Sequence, residues 1–210
     1  MRIIAGARKG RSLAAPAGTA TRPTADRVRQ ALFDMLLHAP WGGAGLLHNA
    51  HILDAFAGTG ALGLEALSRG ADTATFFETD RAALAALRSN IAGCQWQDRC
   101  TVLPRDVTKP PRAKHPCSLL FLDPPYNKDL PARTLAALAA QGWVAPAAIV
   151  VIETALQEPL PLHDAAAAHA YDAPVATQAD DTTPQAVPVY NGTLLAERKH
   201  GAARLSVWRV

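Results

Sequence analysis

Cysteine is scarce, with three in 210 residues, Cys94, Cys100 and Cys117. An odd number outside any metal-ligand spacing excludes a disulfide scaffold and a thiolate metal centre. Ordinary packing in a reducing cytoplasm is their expected role, and no metal is expected. Long apolar runs are missing too: none approaches the length of a membrane span, and residues 1–20 lack the apolar centre of a secretory signal. There is no internal repeat. What is present is an apolar fraction of 49%, enough for the core of one full α/β domain with a small appendage.

The net charge is only +3, but it is unevenly spread. Residues 1–40 carry Arg2, Arg8, Lys9, Arg11, Arg22, Arg27 and Arg29 against only Asp26 and Asp34, and the remainder is slightly acidic. A basic end on a near-neutral body suggests contact with a polyanion through that end. The expected division is therefore a basic extension, 1–40, and a catalytic domain, 41–210. Within the extension, residues 1–15 read as a small hairpin with Gly6 and Gly10 near its turn and Arg8, Lys9 and Arg11 at its tip. Residues 25–37 read as a helix, with Val28, Leu32, Met35 and Leu36 marking its apolar face. Arg22, Arg27 and Arg29 are either solvated charges or further contacts to phosphate.

Residues 52–80 organise the rest of the chain. Ile52 to Phe56 is an apolar run of strand length; Gly58, Gly60 and Gly63 follow, then a helix ending near Gly70, then a second strand closing on Glu78. Glycine lets a ligand approach the main chain, and an acid at the second strand's tip can accept ribose hydroxyls. Such a unit suits a nucleotide-type ligand, NAD or S-adenosyl-L-methionine. Asp54 favours the latter, because a dinucleotide fold usually has apolar residues in its first strand. It would orient the glycine loop or the ligand's amino group, or simply be a buried, hydrogen-bonded carboxylate. Further strands are expected at 100–103, 117–122 and 147–152, the last closing on Glu153, with helices at 81–91 and 131–141. Two more, at 187–195 and 203–208, have no helix between them. The implied fold is α/β and Rossmann-like, a mostly parallel sheet with an antiparallel carboxyl-terminal end. Gly58, Glu78, Asp106 and Asp123 all fall at carboxyl ends of strands, where such sheets bind ligands. Asp106 could reach an adenine edge.

The fourth strand ends in Asp123-Pro124-Pro125-Tyr126. Prolines donate no main-chain hydrogen bond, so the Asp123 carboxylate and the Pro124 carbonyl form an acceptor-only corner. An exocyclic nucleobase amine offers two N–H donors to such a corner, and Tyr126 offers a ring for stacking, a contact worth about 1–3 kcal/mol per base. Two acceptors would also aim the amine lone pair at a sulfonium methyl and stabilise the charge developing on nitrogen.

With these residues in view, the chain resembles the RsmD family of bacterial 16S ribosomal RNA guanine-N2 methyltransferases. The likeness rests on Arg2-Ile3-Ile4-Ala5-Gly6 with Lys9-Gly10-Arg11-Ser12-Leu13, on Arg22-Pro23-Thr24-Ala25-Asp26-Arg27-Val28-Arg29, on Asp54 through Gly70, and on Asp123 to Tyr126. The resemblance implies a class I methyltransferase fold and modification of one guanine in small-subunit rRNA, on the assembled 30S particle. It implies cofactor contacts at Gly58, Gly60, Glu78 and Asp106, a base site at Asp123 to Tyr126, and RNA contacts at the basic hairpin and Arg22. A cytoplasmic monomer is expected. The alternatives are an adenine-N6 DNA methyltransferase, whose target amine would fit the same corner, and a non-catalytic RNA-binding assembly factor.

Overall fold

The computed structural model describes residues 1–16, 26–164 and 191–210. Its elements are α1 (Asp26–His38), β1 (His51–Asp54), α2 (Ala61–Ser68), β2 (Thr73–Phe77), α3 (Arg81–Cys94), β3 (Cys100–Leu103), β4 (Cys117–Leu122), α4 (Leu130–Ala140), β5 (Val144–Ala155), β6 (His163–Asp164), β7 (Asn191–His200) and β8 (Ala203–Arg209). Strand and helix alternate from β1 to β3 and again from β4 to β5, because those apolar runs are followed by a turn and a helix-forming stretch; β3 passes to β4 without a helix, through the proline-rich 104–116 connection. Asp80 caps α3 by accepting the Ala83 N–H at 2.8 Å, the expected service of an acid at that position.

The eight strands form one sheet in the order β3-β2-β1-β4-β5-β8-β7-β6. β3, β2, β1, β4 and β5 are parallel. β8 runs antiparallel to both β5 and β7. Arg198 to His200 complete β7, and the chain reverses at Gly201 (φ 58°) and Ala202. Strand order reverses between β1 and β4, and this switch point is where an open α/β sheet leaves a crevice beyond its carboxyl ends.

Each central strand is buried on both faces, so alternate residues feed two cores. Ile52, Phe76, Leu119, Phe121, Ile149 and Val151 pack against helices α1, α2 and α3; Leu53, Phe77, Leu120, Leu122, Val150 and Ile152 pack against α4. Gly63 shows how closely α2 lies on the sheet, since a Cβ there would stand 2.4 Å from the Phe76 ring.

The basic extension is fastened into the first of these cores. Ile3, Leu13, Leu32, Phe33 and Leu36 belong to it. The amino-terminal arm is a hairpin as expected: Arg2 bridges Ser12, and the Ile3 N–H donates to the Arg11 carbonyl at 2.9 Å. It docks on α2 through Glu65, a carboxylate with no exposed surface. Glu65 accepts the Ile4 N–H at 2.7 Å, the Ala5 N–H at 3.1 Å and Arg69 Nε at 2.7 Å. Arg29 stands 3.9 Å from it and also donates to the Asp26 carboxylate and the Arg2 carbonyl.

This corrects one expectation. Arg29 has 0% of its surface exposed, so it does not meet a phosphate from solvent; it faces α2 because Glu65 is there to neutralise it. The buried stripe of α1 is accordingly Arg29, Leu32, Phe33 and Leu36, while Val28 and Met35 are only half-buried. Arg22, with Pro23 and Thr24, lies outside the described residues, as does 165–186.

Replacing Glu65 by Ala would take one of two nearby carboxylates from buried Arg29 and leave the Ile4 and Ala5 N–H groups and Arg69 Nε without their acceptor. Such losses cost about 3–5 kcal/mol. Glu65→Ala is expected to lower the free energy of unfolding by that amount in a urea titration; a loss below about 1 kcal/mol would show that the arm is docked by apolar contacts alone.

Candidate active site

The site is assembled at the carboxyl ends of β1, β2 and β4. β1 ends at Asp54, which is level with Phe76 of β2 and Phe121 of β4. The main chain stays paired a little beyond: the Ala55 N–H donates to the Phe121 carbonyl at 2.9 Å and the Ala57 N–H to the Phe77 carbonyl at 3.0 Å. The glycine turn, Glu78 and Asp123 therefore leave the sheet at one level.

Asp54 is buried, and its Oδ2 accepts the Gly63 N–H at 3.1 Å. Gly60, the residue before α2, is left-handed (φ 80°) and offers no side chain to cap the helix. A carboxylate reaching up from the strand takes that role, at the end of the helix that favours negative charge. Of the roles expected for Asp54, the geometry gives that of orienting the glycine loop. Burial raises its pKa to about 7; the Gly63 hydrogen bond opposes this, and the nearby Glu78 charge adds to it.

Glu78 grips the same turn from the other side. Its Oε2 accepts the Gly58 N–H at 2.7 Å, and its Oε1 accepts the N–H groups of Thr79 and Asp80 at 2.6 and 2.7 Å. Gly58 has φ 53°, and a Cβ there would meet nothing within 4 Å. A left-handed glycine with open space before it is what close approach of a ligand to main chain requires. Asp106 is exposed, its Oδ1 held by the N–H and hydroxyl of Thr108, both at 2.8 Å; these two hydrogen bonds lower its pKa.

Asp123 follows β4 directly. Burial raises its pKa to about 7, with the neighbouring carboxylates of Glu153 and Asp54 adding to the rise. Pro124 is buried, Pro125 exposed and Tyr126 half-buried. The Tyr126 hydroxyl donates to Glu153 Oε1 at 2.6 Å.

The basic residues are placed unevenly. Lys9, Arg11 and Arg27 are exposed. Arg8 is half-buried, with Nε donating to the Cys94 carbonyl at 2.9 Å and its guanidinium 5.7 Å from the centre of the Trp96 ring. Two further residues serve the site. Asn90 of α3 accepts the Ala14 N–H at 2.7 Å and donates to the carbonyls of Ala14 and Thr59 at 3.1 and 3.0 Å, so it joins the amino-terminal arm to the glycine turn. Nothing in a lone mid-helix asparagine signals that. Glu153 had a signal, an acid closing a strand as Asp123 does.

Comparison with known proteins agrees with this geometry. The family described as conserved hypothetical protein 95 matches residues 1–173. Ribosomal RNA small subunit methyltransferase D of Escherichia coli K12 is 38% identical over 161 residues, 77% of this chain and 78% of that protein. This chain belongs to the RsmD family. The family member from Haemophilus influenzae, carrying the same name, is 35% identical over 164 residues, 76% of this chain and 81% of its own. The solved Escherichia coli protein yhhF superimposes with a TM-score of 0.75 at 32% identity, covering 100% of this chain and 97% of that one. The fold is thus the Rossmann-like fold of the RsmD methyltransferases.

The raised pKa of Asp123 has a consequence for stability. An unfolded carboxyl ionises near 3.8, whereas the folded one holds its proton until about 7. Between those values the folded chain binds more protons, so this carboxyl's contribution is complete below about pH 4 and is lost as the pH rises through about 7. Asp123→Asn is expected to melt above the wild type at about pH 8, with the gap closing toward about pH 4.5. A gap independent of pH in thermal melts would contradict this.

Proposed function

We propose that this chain transfers a methyl group from S-adenosyl-L-methionine to the exocyclic N2 amine of a guanine in small-subunit ribosomal RNA, on the assembled 30S particle. The observation that carries the reading is the placement of an acceptor-only corner, Asp123 with the Pro124 carbonyl, beside the glycine turn across the β1/β4 switch point. The relatives named for methylation of small-subunit rRNA support the polymer. Acting on ribosomal particles places the protein in the cytoplasm, and a monomer suffices for the site.

The residues present fit the cofactor. Open space before Gly58 admits a ligand to the main chain. Glu78 already takes three N–H donors of the roughly four its carboxylate accepts, so a ribose hydroxyl would take the remaining position or displace a loop N–H. Asp106 is exposed, and its Oδ2 would meet the adenine edge while Thr108 holds Oδ1. When bound, S-adenosyl-L-methionine supplies an electrophilic sulfonium methyl.

The chain's own groups do the rest. Ionised Asp123 accepts one N–H of the amine and the Pro124 carbonyl the other. That arrangement draws the nitrogen lone pair out of conjugation and fixes its direction, a gain of position rather than of chemical activation. As the amine gains positive charge, the Asp123 carboxylate stabilises it, and the proton the nitrogen then sheds passes to that carboxylate or to water. A protonated Asp123 would donate where acceptance is needed, so activity should rise with pH as this carboxyl ionises. Tyr126 presents its ring to the base. Lys9, Arg11 and Arg27 are among the exposed cations of the basic end and reach toward the RNA backbone; Arg8 and Arg22 are assigned the same partner.

Methyl transfer measured on 30S particles, naked 16S rRNA and DNA tests the reading directly. The expected product is N2-methylguanosine from 30S particles, abolished in Asp123→Ala while particle binding persists. Methylated adenine in DNA would establish the alternative enzyme, and particle binding without any product would establish an assembly factor. The double variant Lys9→Ala/Arg27→Ala should weaken particle binding and flatten its salt dependence by about two charges while leaving cofactor affinity unchanged.

A further inference from the structure

The base site does not end at β4. β5, one strand away, carries Glu153 just past Ile152, the last residue it pairs with β4, and the β7–β8 hairpin turns back a little beyond: Ala155 of β5 is level with Ala203 of β8, and the Leu156 N–H donates to the Ala202 carbonyl at 2.9 Å. The hairpin thus brings His200 to Glu153. His200 Nε2 lies 3.6 Å from Glu153 Oε2, while Glu153 Oε1 accepts the Tyr126 hydroxyl at 2.6 Å. The Glu153 side chain keeps 13% of its surface exposed and that of His200 28%. Glu153 therefore stands between the hairpin and the aromatic ring, with one oxygen toward each.

We infer that Glu153 is a positioning residue of the base site: it fixes the Tyr126 ring in the plane on which the target base stacks, and the carboxyl-terminal hairpin backs it through His200. The inference rests on the reading of Asp123 to Tyr126 as the site of base methylation. Two features make it more than a surface contact. A tyrosine ring on a loop otherwise swings about χ1, and a hydrogen bond at the far end of the ring anchors it against that motion. The loop itself needs such support, since it contains left-handed Asn127 and Asp129 (φ 58° and 51°). Asn127 is held in turn by Glu158, which accepts its N–H at 2.7 Å from the segment just beyond β5. Both contacts tie the Asp123–Asp129 loop to β5 and its continuation rather than to β4, from which the loop departs.

Glu153 does a second thing by its charge. It faces Asp123, as Asp54 does from β1, with His200 on its far side. A negative Glu153 favours the protonated form of Asp123, and the two effects separate by substitution. Tyr126→Phe deletes the hydrogen bond and keeps the ring. Glu153→Gln keeps an acceptor for the hydroxyl and deletes the charge. Glu153→Ala deletes both.

The test measures kcat and KM on 30S particles across pH, together with cofactor affinity by calorimetry and the NMR signals of the Tyr126 ring, one of three tyrosines in the chain. Glu153→Ala and Tyr126→Phe are each expected to lower kcat about 10–100-fold, as small misplacements of a reacting group do, with cofactor affinity within about twofold of wild type. The double variant should be no worse than either alone, because both remove the same contact. Glu153→Gln should recover most of the loss, and its acid limb should move to lower pH, whereas that of Tyr126→Phe should not. The Tyr126 ring signals should shift and broaden, as the unanchored ring swings about χ1, in Glu153→Ala but not in Glu153→Gln. Additive losses in the double variant, wild-type activity in Glu153→Ala, or equal damage from Gln and Ala would each overturn the inference. The ring signals need no substrate, so an inactive wild type would sink the proposed reaction without deciding whether Glu153 holds the ring.

Discussion

One buried hydrogen bond sets the rest in place: the Asp54 carboxylate receiving the Gly63 N–H. It spans the gap between β1 and α2, and between them lies the whole glycine turn. Gly60 contributes no cap of its own, so without Asp54 the first turn of α2 would carry unsatisfied N–H groups inside the core. A carboxylate is an expensive choice for that place, as its raised pKa records. The cost falls on a site whose neighbours, Glu78 and Asp123, are also acids. Glu78 repels Asp54 and Asp54 repels Asp123, so the ends of these three adjacent strands form an acid-rich edge that suits a ligand bearing positive charge.

The second constraint is docking. The basic arm belongs to the same core as α2, through Glu65, and to the glycine turn, through Asn90. A polyanion held on Lys9, Arg11 and Arg27 is therefore held by elements rigidly joined to the cofactor turn. The other wall is built the same way, with Glu153 and Glu158 tying the Tyr126 loop to β5 and its continuation. In the proposed reading substrate lies between two supports, one from the amino-terminal arm and one from β5 and its continuation, both meeting at the strand ends of a single sheet.

Much of this could be read from residue order. The strands of the parallel part alternate with helices, except between β3 and β4, because short apolar runs alternate with helix-forming stretches, and Glu78 and Asp123 stand out because each follows an apolar run. The acceptor corner at Asp123 is legible in a dipeptide of prolines. The basic arm was legible as charge and as a hairpin, since Gly6 and Gly10 sit where the chain must turn.

Partnership across distance was not legible. Arg29 looks like its neighbour Arg27 in the sequence, yet one is buried and one exposed; only the approach of Glu65 from α2, thirty-six positions away, separates them. Glu153 and Tyr126 meet because β4 and β5 lie side by side, and His200 joins them because the β7–β8 hairpin folds back on β5. The sequence by itself determined which elements form and which groups can do the chemistry, because helix, strand and turn are set by local pattern. Tertiary structure decided which charges are spent inside the protein and which remain for RNA, because desolvation penalises every buried charge that no distant partner reaches.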